Sequence, residues 1–145
     1  MGLYEGERYV IVNRLSGTVL DSSNTDGGVS VRGWENHGGH NQQWVLIDND
    51  GHWYIRNVQS GRYLAPANHN FDDIHDGTPL VGSDAPFHFD IKERDDDEYR
   101  MYVAGFPRAL NADLADGGNP ANGTKVVLWG QVDESRNQLW RFEKV

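Results

Sequence analysis

Short apolar runs separated by turn-forming residues make up most of the chain. In its first third these runs are Tyr9–Val12, Thr18–Leu20, Val29–Val31 and Gln43–Ile47. The segments between them, such as Ser22–Gly28, are rich in Gly, Ser, Asn and Asp, which form tight turns. No segment has a sustained helical period. The pattern predicts an all-β protein of short strands, with four strands in the first third.

The motif Asn-Gln-any-Trp occurs twice, ending at Trp44 and at Trp140, and these residues are 140 − 44 = 96 positions apart. Halfway between them, Phe87-His88-Phe89 stands in place of Gln-any-Trp. A second landmark also recurs, at Val19–Asp21, Tyr63–Ala65 and Ala109–Asn111. We therefore predict twelve strands in three units that share one core, because a unit of this size cannot bury its own apolar face. The units span residues 1–48, 49–94 and 95–145.

Length and composition narrow the class of protein. A chain of 145 residues with 37% hydrophobic residues and 17 glycines is typical of one globular, turn-rich domain. A net charge of −9 disfavours binding to nucleic acid or to anionic membranes. There is no cysteine for a disulfide or a thiolate site, and no apolar run of the length of an export signal or a membrane span. We expect a cytoplasmic protein that does not insert into membranes.

Three units that each close on Gln-any-Trp or its remnant resemble the ricin-B-type β-trefoil lectins. The lack of cysteine and of an export signal resembles the small cytoplasmic lectins of mushrooms. The resemblance covers essentially the whole chain and implies a β-trefoil with pseudo-threefold symmetry. It places Trp44, Phe89 and Trp140 in the shared core. It also implies a lectin for galactose or N-acetylgalactosamine glycans, with a defensive role as a further expectation.

The resemblance carries a sugar site onto the first unit. A neutral sugar needs a hydrogen-bond acceptor, an amide and an aromatic ring that packs against its C–H groups. The family takes these from an Asp after the second strand, an aromatic residue after the third and the Asn before the Gln of the closing motif. The matching residues are Asp21, Trp34 and Asn41, with Arg32 and Gln42 as secondary candidates. An ionised Asp21 would accept two sugar hydroxyls.

The other two units match the site less well. The third unit has Trp129, Asn137 and Gln138, but Asn111 occupies the position matched to the acidic residue, and Asp113, two residues on, is an alternative. The second unit has Ala65 and Ser83 in place of the acceptor and the ring. We expect sugar binding by the first unit, weak or no binding by the third, and none by the second.

Several of these residues also fit purely structural roles. Asp21 fits an Asx turn, the two tryptophans fit a core, and the two asparagines fit a turn-to-strand connection. The acidic run Glu93–Arg100 fits a solvated turn. The segment Phe71–Gly77 gathers Asp and His, but it lacks the spacing of a calcium or zinc site. We expect no metal and no cofactor.

Catalysis is not expected, because no activated nucleophile or paired-carboxylate signature is recognisable. The alternative to a lectin is a mushroom-type β-trefoil protease inhibitor, which inserts loops into protease clefts. The presence of Asp21, Trp34 and Asn41 together favours sugar binding, since an inhibitor has no need of them. A single shallow sugar site is weak, so we expect more than one site to be presented, for example by a homodimer.

Overall fold

The computed structural model describes residues 2–145 and is almost entirely β. Its strands are β1 (Arg8–Asn13), β2 (Val19–Ser22), β3 (Val31–Trp34), β4 (Trp44–Asn49), β5 (His52–Asn57), β6 (Tyr63–Pro66), β7 (Leu80–Ser83), β8 (Phe89–Asp95), β9 (Glu98–Val103), β10 (Leu110–Leu114), β11 (Thr124–Gly130) and β12 (Trp140–Lys144). The helical segments are short: 3-10 turns at His40–Gln42, Phe71–Asp73 and Arg136–Gln138, and one α-helical turn, α1, at Ala115–Gly118. None of them has the length and apolar character needed to cross a membrane.

Six strands form a closed antiparallel barrel in the order β1, β4, β5, β8, β9, β12 and back to β1. The remaining six form three hairpins, β2–β3, β6–β7 and β10–β11. The hairpins meet one another through the β3–β11 pair and through isolated bridges between Ser30 and Val81 and between Pro79 and Val127. A six-stranded barrel with three hairpins is a β-trefoil, so the predicted fold and its twelve strands are confirmed.

The aromatic residues of the repeated motif lie in the core. Trp44, Phe89 and Trp140 are all 0% exposed and belong to one hydrophobic cluster. The indole Nε1 of Trp44 donates to the Leu20 carbonyl at 3.0 Å, and that of Trp140 donates to the Ala112 carbonyl at 3.2 Å. These bonds satisfy the one polar group of each buried ring and fix the second strand of the unit against the closing strand.

The same indole bonds align the first and third units. Leu20 and Ala112 accept equivalent bonds, so the residues that follow them, Asp21 and Asp113, are equivalent. The ladders agree, because Trp34 pairs with Val19, two residues before Asp21, and Trp129 pairs with Asn111, two residues before Asp113. The predicted match of Asn111 to Asp21 is therefore wrong. Six residues, 13–18, separate the paired residues Val12 and Val19 in the first unit. Eight residues, 103–110, separate the paired residues Tyr102 and Asn111 in the third, so this segment is two residues longer there.

Candidate functional site

The first-unit site is built around the carboxylate of Asp21, whose residue is only 1% exposed. Its Oδ1 accepts a bond from Arg32 Nε at 2.6 Å, across the β2–β3 ladder. Its Oδ2 accepts from Gln42 Nε2 at 2.8 Å and from Asn41 Nδ2 at 3.3 Å. The 3-10 turn before β4 supplies both amides, so the repeated Asn-Gln pair is held against the acidic residue of the same unit.

Arg32 joins this carboxylate to the aromatic ring of the site. Its guanidinium carbon lies 4.5 Å from the centroid of the Trp34 ring, a distance at which a cation is attracted to the ring face. Trp34 itself is partly exposed. The structure thus brings together all five residues predicted for the first unit. It also gives Arg32 a larger part than predicted, because Arg32 contacts both the acceptor and the ring.

The remaining acceptor capacity of Asp21 is small. An ionised carboxylate offers about four lone-pair positions. Protein donors occupy three of these positions on Asp21, from Arg32, Asn41 and Gln42. The His37 ring also lies close, with its Nε2 3.8 Å from Oδ2. A ligand hydroxyl can therefore donate to one further position, while the guanidinium can donate to a ligand oxygen.

The third-unit site has the same frame without the arginine. Asp113 Oδ1 accepts from Asn137 Nδ2 at 3.1 Å, and its Oδ2 accepts from Gln138 Nε2 at 3.0 Å. The residue opposite Asp113 in the ladder is Val127, where the first unit has Arg32. Trp129 is 43% exposed. Each Asp113 oxygen therefore has one protein donor, and about two of its four acceptor positions remain for a ligand.

Burial raises the pKa of the Asp113 carboxyl. The hydrogen bonds from Gln138 and Asn137 oppose this effect, and the negative charge of Asp76 adds to it. Asp113 therefore takes up a proton at a higher pH than an ordinary aspartate. The negative charge of the third-unit acceptor is therefore costly to maintain.

Asn111 has a structural role, in contrast to the prediction that it belongs to the sugar site. It is 0% exposed, its Oδ1 accepts from Arg100 Nη1 at 3.0 Å, and its Nδ2 donates to the Trp129 carbonyl at 3.0 Å. Arg100 Nη1 also donates to Gln138 Oε1 at 2.9 Å, which orients the Gln138 amide with its nitrogen toward Asp113. Sequence reasoning missed Arg100. The available signal was a single cation inside the apolar run Tyr99–Val103.

The second unit has neither acceptor nor ring at the matched positions. Ala65 pairs with Val81, and Ser83 stands where the other units have tryptophan. Phe87, in place of the Gln of the motif, is buried against Phe89 with ring centroids 5.4 Å apart. Ala65 and Phe87 extend the core and offer no polar side-chain group to a sugar.

The acidic loop of the second unit supports the third unit. Asp76 Oδ1 accepts from the Gly130 backbone N–H at 2.9 Å and pairs with Arg108 Nη1 at 3.0 Å. These bonds hold the loop against the end of β11, next to Trp129. Within residues 2–145 there is no group of three or more His, Asp or Glu side chains that could hold a metal ion.

Several solved structures share this architecture. A ricin B-like lectin of Macrolepiota procera, solved in complex with lactose, is 32% identical over the full length of both chains, with a TM-score of 0.89. The Rhizoctonia solani agglutinin is 29% identical over 100% of this chain and 99% of its own, with a TM-score of 0.86. An exo-β-1,3-galactanase of Clostridium thermocellum is 26% identical with a TM-score of 0.83, but only 31% of that enzyme's chain is covered.

The description of the matching family agrees with the fold. The family described as ricin-type β-trefoil lectin domain-like matches residues 3–82 and 49–129. Together these two matches cover most of the chain. The protein therefore belongs to the ricin-type β-trefoil lectin domain-like family.

Proposed function

We propose that this protein binds galactose- or N-acetylgalactosamine-type glycans through two sites, one in the first unit and one in the third. The observation that carries the proposal is the repeated frame. In both units an amide pair of Asn and Gln holds a carboxylate, and a partly exposed tryptophan follows on the next strand. Lactose, the ligand of the Macrolepiota procera lectin, is a galactoside, which supports this choice of sugar.

Galactose fits this frame because of its shape. Its axial hydroxyl and the neighbouring equatorial hydroxyl can donate to one carboxylate, while the opposite C–H face packs on an aromatic ring. In the third unit, Asp113 keeps about two acceptor positions for such a pair. Trp129 has an exposed surface for the apolar face. The third-unit site therefore has the complete set of groups that the first unit alone was predicted to have.

The first unit offers a different set of groups. Asp21 keeps about one acceptor position, and Arg32 supplies a donor directly beside it, stacked on Trp34. A sugar bound here would donate one hydroxyl to Asp21 and accept a bond from Arg32. The predicted rank of the first unit above the third depended on Asn111, and the strand register removes that reason. We infer two sites of unlike preference in one chain.

We further infer that the protein binds these glycans without cleaving them. Asp21 and Asp113 are each held by the Asn-Gln pair of their own unit. Asp76, whose charge acts on Asp113, is already engaged by the Gly130 N–H and by Arg108, so it is not a free partner for the paired-carboxylate chemistry of glycoside hydrolysis. The galactanase match does not argue against this, because the chain corresponds to less than a third of that enzyme.

An NMR titration tests the proposal, because Trp34 and Trp129 each give a separate indole N–H signal. Methyl β-galactoside should shift both signals, with different affinities, and methyl β-glucoside should shift them much less. Substitution of each tryptophan by Phe assigns the signals. If neither signal responds to galactosides, and a glycan array also shows no binding to galactose-type glycans, the proposal is wrong.

A further inference from the structure

A cleft of about 310 Å³ lies beside the first-unit site, where the first and second units meet. Its lining is mainly hydroxyl and amide groups from the two units: Ser23, Asn24, Asn41, Asn57, Gln59 and Ser60. We call it the junction cleft. It contains no charged lining residue, although the chain as a whole carries a net charge of −9. A neutral, hydroxyl-rich ligand therefore suits its chemistry better than an ion.

Asn41 belongs both to the junction cleft and to the first-unit site. The Nδ2 of Asn41 bonds to Asp21 Oδ2 at 3.3 Å and to the Ser22 carbonyl at 3.0 Å, so this side chain borders both spaces. Asn57 supports it from below, since its Nδ2 donates to the Asn41 carbonyl at 3.0 Å. The cleft therefore adjoins the residue that contacts Asp21, and it is the neighbouring space for a ligand held there.

Two amides at the rim of the cleft are held in place with unused bonding capacity. Gln59 Nε2 donates to Asn24 Oδ1 at 2.7 Å, which joins the turn after β5 to the loop after β2. Within residues 2–145, Gln59 Oε1 and Asn24 Nδ2 have no hydrogen-bond partner. They leave one acceptor and one donor on two joined side chains, and sugar hydroxyls can bond to either.

The corresponding junctions of the other units are closed by apolar side chains. Asn13 and Asn57 cap equivalent turns, because each Oδ1 accepts bonds from the two backbone N–H groups that lie two and three residues further on. This places Leu15 at the position of Gln59. Leu15 packs so closely on Gly118 that an added Cβ there would lie 2.6 Å from Leu15 Cδ2.

The junction between the second and third units is closed by aromatic rings. Phe106, in the turn after β9, packs edge-on against Phe71 with ring centroids 5.3 Å apart. The same place in the pseudo-symmetric fold is therefore filled at two junctions and open and polar at the one that adjoins Asp21. Packing of the shared core does not require a polar cleft there, because the other two junctions do without one.

We propose that the junction cleft binds the second sugar of a neutral, galactose-containing oligosaccharide whose galactose occupies the first-unit site. This inference rests on the function proposed above. Under this proposal the first unit binds the linked sugar as well as the terminal galactose. Leu15 fills the equivalent space beside the third unit. The third unit therefore binds the terminal sugar alone.

The test compares methyl β-galactoside with a panel of neutral galactose-containing disaccharides in β1-3, β1-4 and α1-3 linkage, including lactose. The Trp34 and Trp129 indole signals report the two sites separately. At least one disaccharide should bind the first unit about tenfold more tightly than methyl β-galactoside, through two added neutral hydrogen bonds. It should also shift the side-chain amide signals of Gln59 and Asn24. The third unit should show no comparable gain.

The Gln59→Leu variant copies Leu15 and should remove the disaccharide gain while it leaves the response of Trp34 to methyl β-galactoside unchanged. Asn24→Ala, at an exposed position, tests the same cleft if the leucine variant folds poorly. The reciprocal variant Leu15→Gln is the matched control and should leave the first unit unaffected.

The outcomes separate this inference from the proposed function. If methyl β-galactoside shifts Trp34 but no disaccharide gains affinity, or if the gain survives Gln59→Leu, the cleft is not a subsite and the galactose site stands. If neither methyl β-galactoside nor any disaccharide shifts Trp34, both the first-unit site and the subsite are wrong.

Discussion

Asp113→Asn is the substitution that most directly tests the third-unit site. The change keeps the size of the side chain, removes its charge and converts one acceptor oxygen into a donor. Asp113 holds one protein donor on each oxygen, which leaves about two positions for sugar hydroxyls. The amide leaves at most one of them, and that one is no longer charged. The variant should fold, because burial already disfavours the ionised form of this carboxyl.

The size of the effect follows from the bonds that are lost. A hydrogen bond to a charged group contributes about 1.5–3 kcal/mol, and about 1.4 kcal/mol corresponds to a factor of ten in Kd. Loss of one such bond should therefore weaken galactoside binding at the third unit by roughly 10- to 150-fold. Titration followed by the Trp129 signal measures this change. The Trp34 signal in the same sample provides an internal control that should not change.

Asn111→Asp is the matched variant. It would strengthen sugar binding if Asn111 occupied the acceptor position, as the spacing of the repeated landmarks predicted. In the structure the new carboxylate faces Arg100 in the interior, so the sugar affinity should not rise. Unchanged affinity of the third unit in Asp113→Asn, or increased affinity in Asn111→Asp, would refute the register on which the site is built.

Three further predictions concern pH, the core and the first-unit cation. Because the pKa of Asp113 is raised above its ordinary value of 3.8, the third unit should lose galactoside affinity at a higher pH during acidification than an ordinary aspartate would allow, and the pH profile should flatten in Asp113→Asn. Trp44→Ala should cost about 3–5 kcal/mol in urea unfolding, whereas Trp44→Phe, which imitates Phe89, should cost less, as it keeps a large aromatic side chain. Arg32→Val, which imitates Val127, should cost about 1–3 kcal/mol of stability and change the glycan-array profile of the first unit toward that of the third.

The sequence alone was sufficient for the architecture. The spacing of the closing motif identified three units and the three aromatic residues of the core. Each unit must place a large ring at the same position of the shared core, so an aromatic residue recurs at that position in the sequence. The apolar runs and turn residues predicted the strand content. The fold is determined by many such positions at once, so the decay of one motif to Phe87-His88-Phe89 did not obscure it.

The sequence did not show correctly which site residues of the first and third units are equivalent. From Asp21 to Trp44 there are 44 − 21 = 23 positions, and from Asp113 to Trp140 there are 140 − 113 = 27. The approach to the second strand also differs in length by two residues. Counting from either landmark therefore misses Asp113. The indole bonds to Leu20 and Ala112 determine the match, because hydrogen-bond register is set by geometry and not by chain length.

The contacts of Arg32 are also visible only in the three-dimensional structure. Its position opposite Asp21 follows from the β2–β3 ladder. The sequence could not show that the guanidinium donates a hydrogen bond to the Asp21 carboxylate and also stacks on the Trp34 ring. Arg100 was missed for a similar reason. A cation in a strand is usually solvated, and only the packing shows that this one is buried and donates to Gln138.

Pseudo-symmetry explains how one chain can hold the two unlike sites proposed above. The shared core constrains the aromatic residue of each closing strand, whereas the residue opposite the acidic position lies outside the core cluster and differs between the units. That position holds Arg32 in the first unit, Val81 in the second and Val127 in the third. Each choice changes the chemistry offered to a sugar without altering the barrel. Two sites on one rigid domain can engage a multivalent surface together, which raises apparent affinity by about 10² to 10⁴. If both proposed sites bind, multivalent binding does not depend on a homodimer, and a chain that sediments as a monomer should still agglutinate cells that display both ligands.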